Sequence, residues 1–205
     1  MKHFGSYFIN EQDCLRALLL LHNNNKPIEC DPMYFKGNFW KDGLIAPKYK
    51  YDINPQVAEC EQADATQLPL DSGSIESIIL DPPFLFGKHG KTGDYYSSRT
   101  HTIFDDWGEL EECYKKILRE AHRCLKKNGV CIFKCQDYTD SKSTMTHCHV
   151  WDWARETGFY VKDLAILNIP QHKIYNGNTR QRHLRKVHTY FWVLVKKCKG
   201  VADAI

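Results

Sequence analysis

The sequence has no apolar run of the length a bilayer requires. Leu18-Leu19-Leu20-Leu21 is short and follows charged residues, so it reads as neither a spanning segment nor a signal peptide. A soluble, intracellular protein is therefore expected. No Cys-x-x-Cys pair occurs, which removes the usual zinc frameworks, and nine cysteines at these spacings suit no disulfide framework. Cys30, Cys131 and Cys135 fall in apolar runs, where cysteine behaves as a small hydrophobe. His147-Cys148-His149 is the nearest approach to a metal motif, and the first turn of a helix is its other reading. No Gly-x-Gly-x-x-Gly turn follows the first strand, which excludes a dinucleotide-dependent dehydrogenase. Repeats and interdomain linkers are also absent, so the 205 residues are expected to form one domain.

Acids are missing from one long stretch. Between Gln171 and Gly200 there are eight lysines and arginines and no carboxylate, so that segment carries +8 and the remainder −5 of a net +3. A basic segment on an acidic body suits a polyanionic partner. A solvated face is the other reading.

Patterning then predicts an alternation of strands and helices. Asn10 is placed to cap a helix running from Glu11 to Leu21, with Leu15, Leu18, Leu19 and Leu21 on its apolar face. Phe8-Ile9 before it reads as a staple on the helix entry or as lining for a cofactor pocket. Short strands are predicted at 27–31 and 48–52, a third ends near Asp64, and Ile75–Leu80 is a buried strand. Residues 85–106 form a glycine-rich stretch without period, of the kind that is functional or disordered. A strong helix is predicted over 107–128, stopped by Gly129. A buried strand follows at 130–135, a helix at 141–157, a strand at 159–167, a polar basic loop at 170–187, and a last aromatic strand at 189–195. This order implies a mostly parallel sheet with helices on both faces.

Ser77-Ile78-Ile79-Leu80 runs into Asp81-Pro82-Pro83-Phe84. Two prolines cannot continue a ladder, so the strand ends there. A carboxylate, a stiff turn with free carbonyls and an aromatic ring are thereby held at the carboxyl end of a strand, where open α/β sheets bind ligands. Asp31, Asp52 and Asp64 take similar strand-end positions. Carboxylates there can accept hydrogen bonds from ribose hydroxyls or from an amine.

The tetrapeptide resembles the Asp-Pro-Pro-aromatic motif of S-adenosylmethionine (SAM)-dependent methyltransferases acting on exocyclic amino groups of nucleobases. With residues 31–40, Tyr51-Asp52-Ile53-Asn54-Pro55, Asp64, residues 133–137 and residues 188–193, the chain looks like the small DNA methyltransferases of phages and prophages. The resemblance implies a Rossmann-like class I fold: a doubly wound, mostly parallel seven-stranded sheet with an antiparallel C-terminal strand, spanning 1–205 as one domain without a separate target-recognition domain. It implies that Asp31, Pro32, Met33, Tyr34 and the turn to Gly37 approach the methionine part of SAM. Asp52 with Ile53 takes the ribose, and Asp64 with Ala65 takes the adenine.

By the same resemblance, Asp81 and the Pro82 carbonyl accept hydrogen bonds from the target amine, Pro83 stiffens the turn, and Phe84 stacks on the base. The first Asp is more typical of adenine N6 enzymes than of cytosine N4 enzymes. Arg99, Lys173, Arg180, Arg182, Arg185 and Lys186 are candidates for phosphate contacts. Asp137 is a candidate for lining the target pocket, or a turn acid. Trp107, Trp151, Trp153 and Trp192 read as core residues. The implied activity converts SAM to S-adenosylhomocysteine on DNA, by a monomer or homodimer in the cytoplasm of a bacterial or phage-infected cell. RNA adenine, cytosine N4 and a catalytically weak nucleic-acid-binding subunit are the alternatives. The family's Gly-x-Gly turn is reduced here to Asp31-Pro32 and a single Gly37.

Overall fold

The structure is a computed structural model that describes residues 3–86, 104–139, 142–168, 182–184 and 186–197. Arg99, Lys173, Arg180 and Arg185, with most of the two long loops, lie outside the described residues. Helix α1 spans Glu11–His22, and its cap is Asn10, whose side chain accepts the Asp13 N–H at 2.9 Å. Cys14, Leu15, Ala17, Leu18 and Leu19 are buried, whereas Leu21 is exposed. Helical spacing puts Leu21 on the side of Ala17 and Leu18, but it falls in the last turn, at the very end of the helix.

Helix α2 spans Trp107–Cys124, capped by Asp106 through the Glu109 N–H at 3.0 Å. The sequence pattern carries this helix to Asn128. It ends four residues earlier because Leu125 turns extended and pairs with Ile75, and Asn128 adopts a left-handed φ of +62°. The basic last turn is therefore His122 and Arg123, not the lysines that follow. Helix α3 spans Thr146–Thr157 rather than starting at Ser141. A small hairpin, β7 (Tyr138–Thr139) with β8 (Ser143–Thr144), occupies the preceding residues. Gly158, at φ +99°, ends the helix as its spacing predicts.

The remaining strands are β1 (Tyr7–Phe8), β2 (Cys30–Asp31), β3 (Tyr49–Asp52), β4 (Glu61–Gln62), β5 (Ile75–Leu80), β6 (Leu125–Gln136), β9 (Phe159–Asn168) and β10 (His188–Lys196). Among the described residues they form an eight-stranded sheet in the order β1-β9-β10-β6-β5-β2-β3-β4. Pairings are parallel except those of β10, which lies antiparallel between β6 and β9. Seven of these strands match the expected sheet. The eighth is β1, where Tyr7 and Phe8 pair with Ile166 and Leu167 instead of merely stapling the helix.

Alternation along the central strands divides the core between two faces. Ile79, Ile132, Phe191 and Val193 pack with α1. Ile78, Leu80, Cys131, Phe133, Cys135 and Trp192 pack with α2 and α3. The carboxyl ends of β2, β3 and β5 thus meet at one rim of the sheet.

Candidate functional site

Asp81 follows the last residue of β5, and the two prolines end the ladder there. The corner is tied down by Tyr114 of α2, whose buried hydroxyl donates to the Pro83 carbonyl at 3.1 Å. Burial holds the Tyr114 hydroxyl well above its usual pKa, so it stays a donor. No described donor reaches the neighbouring Pro82 carbonyl. Tyr114→Phe is expected to lower stability by about 1 kcal/mol, because it leaves one half-buried carbonyl unpaired. Urea denaturation against the parent chain checks this.

Asp81 lies beside a buried cation. Lys134 Nζ donates to Asp81 Oδ2 at 3.0 Å and pairs with Glu11 Oε1 at 2.9 Å. Its place follows from strand parity: Phe133 and Cys135 face α2, so Lys134 faces α1, whose first residue is Glu11. The ammonium also lies over the ring of Phe39 at 4.7 Å. Burial disfavours its charge, but Asp81 and Glu11 outweigh burial and hold its pKa above the usual lysine range. For Asp81 the balance is reversed: burial, with Glu11 adding, raises its pKa despite Lys134. Neither partner carries a motif that marks it for this role. Lys134 was visible as a charge inside an apolar strand, and Glu11 as nothing more than a first-turn acid.

A cavity of 450 Å³ opens beside this corner. Asp81, Pro82, Pro83 and Phe84 line it, with Lys134 and Glu11. Asp52, Ile53, Asp64, Ala65 and Thr66 also line it, and Pro32, Met33, Tyr34 and Phe35 complete this part of its wall. Asp52 holds its surroundings together: Oδ2 accepts the Phe35 N–H at 2.8 Å and Oδ1 the Asn54 N–H at 2.9 Å. Burial raises its pKa, and those two N–H groups pull it back. Asp64 Oδ1 accepts from both the backbone N–H and the hydroxyl of Thr66, each at 2.8 Å.

Two of the residues expected to touch cofactor do not line this cavity. Asp31 is 1 % exposed, and its carboxylate accepts the Met33 N–H at 3.1 Å and the Trp40 indole N–H at 2.9 Å. Both oxygens are committed to shaping the wall. Burial, with Asp81 and Asp52 nearby, pushes its carboxyl up to about 7. Gly37 stands behind Tyr34 at φ +67°, where an added Cβ would come within 2.6 Å of the Tyr34 hydroxyl oxygen. Gly37→Ala is expected to cost about 1–3 kcal/mol through backbone strain and displacement of that ring. A lowered denaturation midpoint with unchanged slope would register it.

The other candidates divide. Asp137 is buried and accepts from His147 Nδ1 at 2.7 Å and from the Tyr190 hydroxyl at 3.3 Å, so it organises the start of α3. It does not line the cavity. Trp153 and Trp192 are core residues as expected, Trp107 is half-buried against Phe86, and Trp151 is exposed. Arg182 is exposed and Lys186 half-buried.

The acceptor set of the cavity suits an adenosyl group: strand-end carboxylates for hydroxyls and an amine, with Ile53, Ala65, Cys113 and Ile117 as apolar walls. With the last strand inserted antiparallel next to β6, this defines a Rossmann-like fold of the SAM-dependent methyltransferase type. The chain belongs to the DNA methylase (N6/N4 methyltransferase) family, whose profile matches residues 75–205. A Burkholderia thailandensis 1,6-didemethyltoxoflavin-N1-methyltransferase, solved with its substrate and S-adenosylhomocysteine, superposes with TM-score 0.55 at 12% identity, over 92% of this chain and 79% of that one. The cytosine-N4-specific PvuII DNA methyltransferase gives 0.50 at 13% identity, over 67% and 48%. A Thermus thermophilus protein named a DNA modification methylase gives 0.48 at 14% identity, over 76% of this chain and 57% of that one. The chain thus spans about half the length of these two DNA enzymes. No curated protein sequence matches it.

Proposed function

We propose that the chain transfers a methyl group from SAM to the N6 amino group of adenine in DNA, acting as a single domain. The observation that carries this reading is that the Asp81-Pro82 acceptors and the Asp52–Asp64 wall open into one cavity. SAM, when bound, supplies an activated methyl group, so the protein's task is to position and polarise. Asp52 and Ile53 hold the ribose, and Asp64 and Ala65 hold the adenine. Asp31 acts from behind, by fixing Met33 and Trp40.

An exocyclic amine is a weak nucleophile because its lone pair is delocalised into the ring. Asp81 and the Pro82 carbonyl each accept one of its hydrogens and favour the pyramidal nitrogen that can attack. The base must leave the stack to reach them, and Phe84 offers a replacement surface. Asp as the first motif residue favours adenine over cytosine. Arg182 and Lys186, with Arg99, Lys173, Arg180 and Arg185, take phosphates.

Incubation with tritiated SAM and separate DNA and RNA pools, followed by nucleoside analysis, tests the proposal. Label in N6-methyladenine of DNA is the expected result. N4-methylcytosine, or label confined to RNA, would overturn the substrate assignment, and no label in either pool would overturn the activity.

A further inference from the structure

The proposed reaction uses one oxygen of Asp81 and gives no role to two buried charges beside it. Lys134 Nζ occupies Asp81 Oδ2 at 3.0 Å, and among the described residues Asp81 Oδ1 accepts no hydrogen bond. Lys134 is shared, because Glu11 Oε1 stands 2.9 Å from the same ammonium. Glu11 reaches the site from the first turn of α1, outside the segment matched by the family profile. Both acids line the cavity, and the lysine side chain is only 13% exposed, so water screens the three charges weakly.

We infer that Lys134 and Glu11 are positioning residues for Asp81: Lys134 claims Oδ2 and so aims Oδ1 at the target amine, and Glu11 moderates the lysine's pull. The inference rests on the proposed reaction for its purpose, but not for its electrostatics. An ammonium paired with Asp81 alone would hold the carboxylate electron density and weaken it as an acceptor. A second acid on the same ammonium restores that capacity. Burial without Lys134 would instead let Asp81 protonate and become a donor, the wrong polarity for an amine hydrogen. The other titratable groups facing Asp81 are Asp31 of β2, Tyr114 of α2 and Cys135 of β6. None of them pairs with its carboxylate, so the two charges of the cluster dominate its tuning.

The test begins on the cofactor-free full chain. Carboxyl ¹³C resonances of labelled aspartate, with Asp81 assigned by Asp81→Asn, give the titration midpoint of Asp81 directly. Lys134→Met is expected to raise the midpoint by about one pH unit and Glu11→Gln to lower it by about as much. Lys134→Arg should leave it near the parent value. Shifts in the same direction, or none, would overturn the inference. If circular dichroism shows Lys134→Met unfolded, Glu11→Gln and Lys134→Arg still decide it. With SAM and DNA, the acid limb of kcat should move to higher pH in Lys134→Met and lower pH in Glu11→Gln, with KM for SAM within about twofold of the parent. Opposite limb shifts are not produced by a merely structural role. Absent methyl transfer in the parent chain with the resonance shifts intact would count against the proposed function alone.

Discussion

Asp81→Ala is expected to bind SAM with unchanged affinity and to transfer methyl groups at least about 100-fold more slowly. Among the described residues the carboxylate shares no hydrogen bond with Asp52, Asp64 or the groups they hold, so its removal leaves those bonds in place. Lys134 keeps an acid partner in Glu11, so the variant does not strand a buried ammonium. What the proposed reaction loses is one of two acceptors on the target amine, an interaction that strengthens as the nitrogen becomes pyramidal. Titration calorimetry with SAM and a tritium transfer assay separate the two effects. A variant with parental turnover would refute Asp81 as the acceptor. Loss of SAM binding would mean that the corner belongs to the cofactor pocket.

Asp52→Ala is expected to weaken SAM binding about 100-fold, equivalent to about 2.7 kcal/mol. The residue has two tasks. Its carboxylate accepts the Phe35 and Asn54 N–H groups and so ties Phe35 of the cavity lining to the end of β3, and it lines the cavity where the ribose is proposed to lie. Charged hydrogen bonds of this kind contribute about 1.5–3 kcal/mol each. Asp52→Asn retains one acceptor and should fall between the two. Because burial raises the Asp52 pKa, SAM affinity should begin to fall at a higher pH than an ordinary aspartate would give as the solution is acidified. Unaltered binding heat in Asp52→Ala would remove the cofactor assignment.

The alternation of strands and helices was legible because burial imposes its period directly on sequence. β5, α1 and α2 read well for that reason, as did the Asp-Pro-Pro corner, whose stiffness is local. Four things were not legible. The early stop of α2 depends on Leu125 finding Ile75 across the sheet, a tertiary pairing that overrides a favourable helical run. β1 gains its strand state only from β9, more than 150 residues away in sequence. Asp31 and Asp52 look alike as strand-end acids, yet one is buried against Trp40 and the other lines the cavity. That difference is set by where residues 33–40 fold back. The Glu11–Lys134 pair spans most of the chain and had no local signature at all.

The placement of Lys134 also bears on how the sheet finds its registration. Phe133 and Cys135 are fully buried on the opposite face, so a slip of β6 by one residue would turn the ammonium into the aromatic layer around Tyr114. There it would have neither Glu11 nor Asp81 beside it, at a cost of several kcal/mol. Apolar residues alone tolerate such a slip far better, because cysteine, isoleucine and phenylalanine can exchange faces of a core. A single buried charge in the central strand therefore acts as a checking device during folding, accepting one pairing of β5 with β6 and rejecting its neighbours.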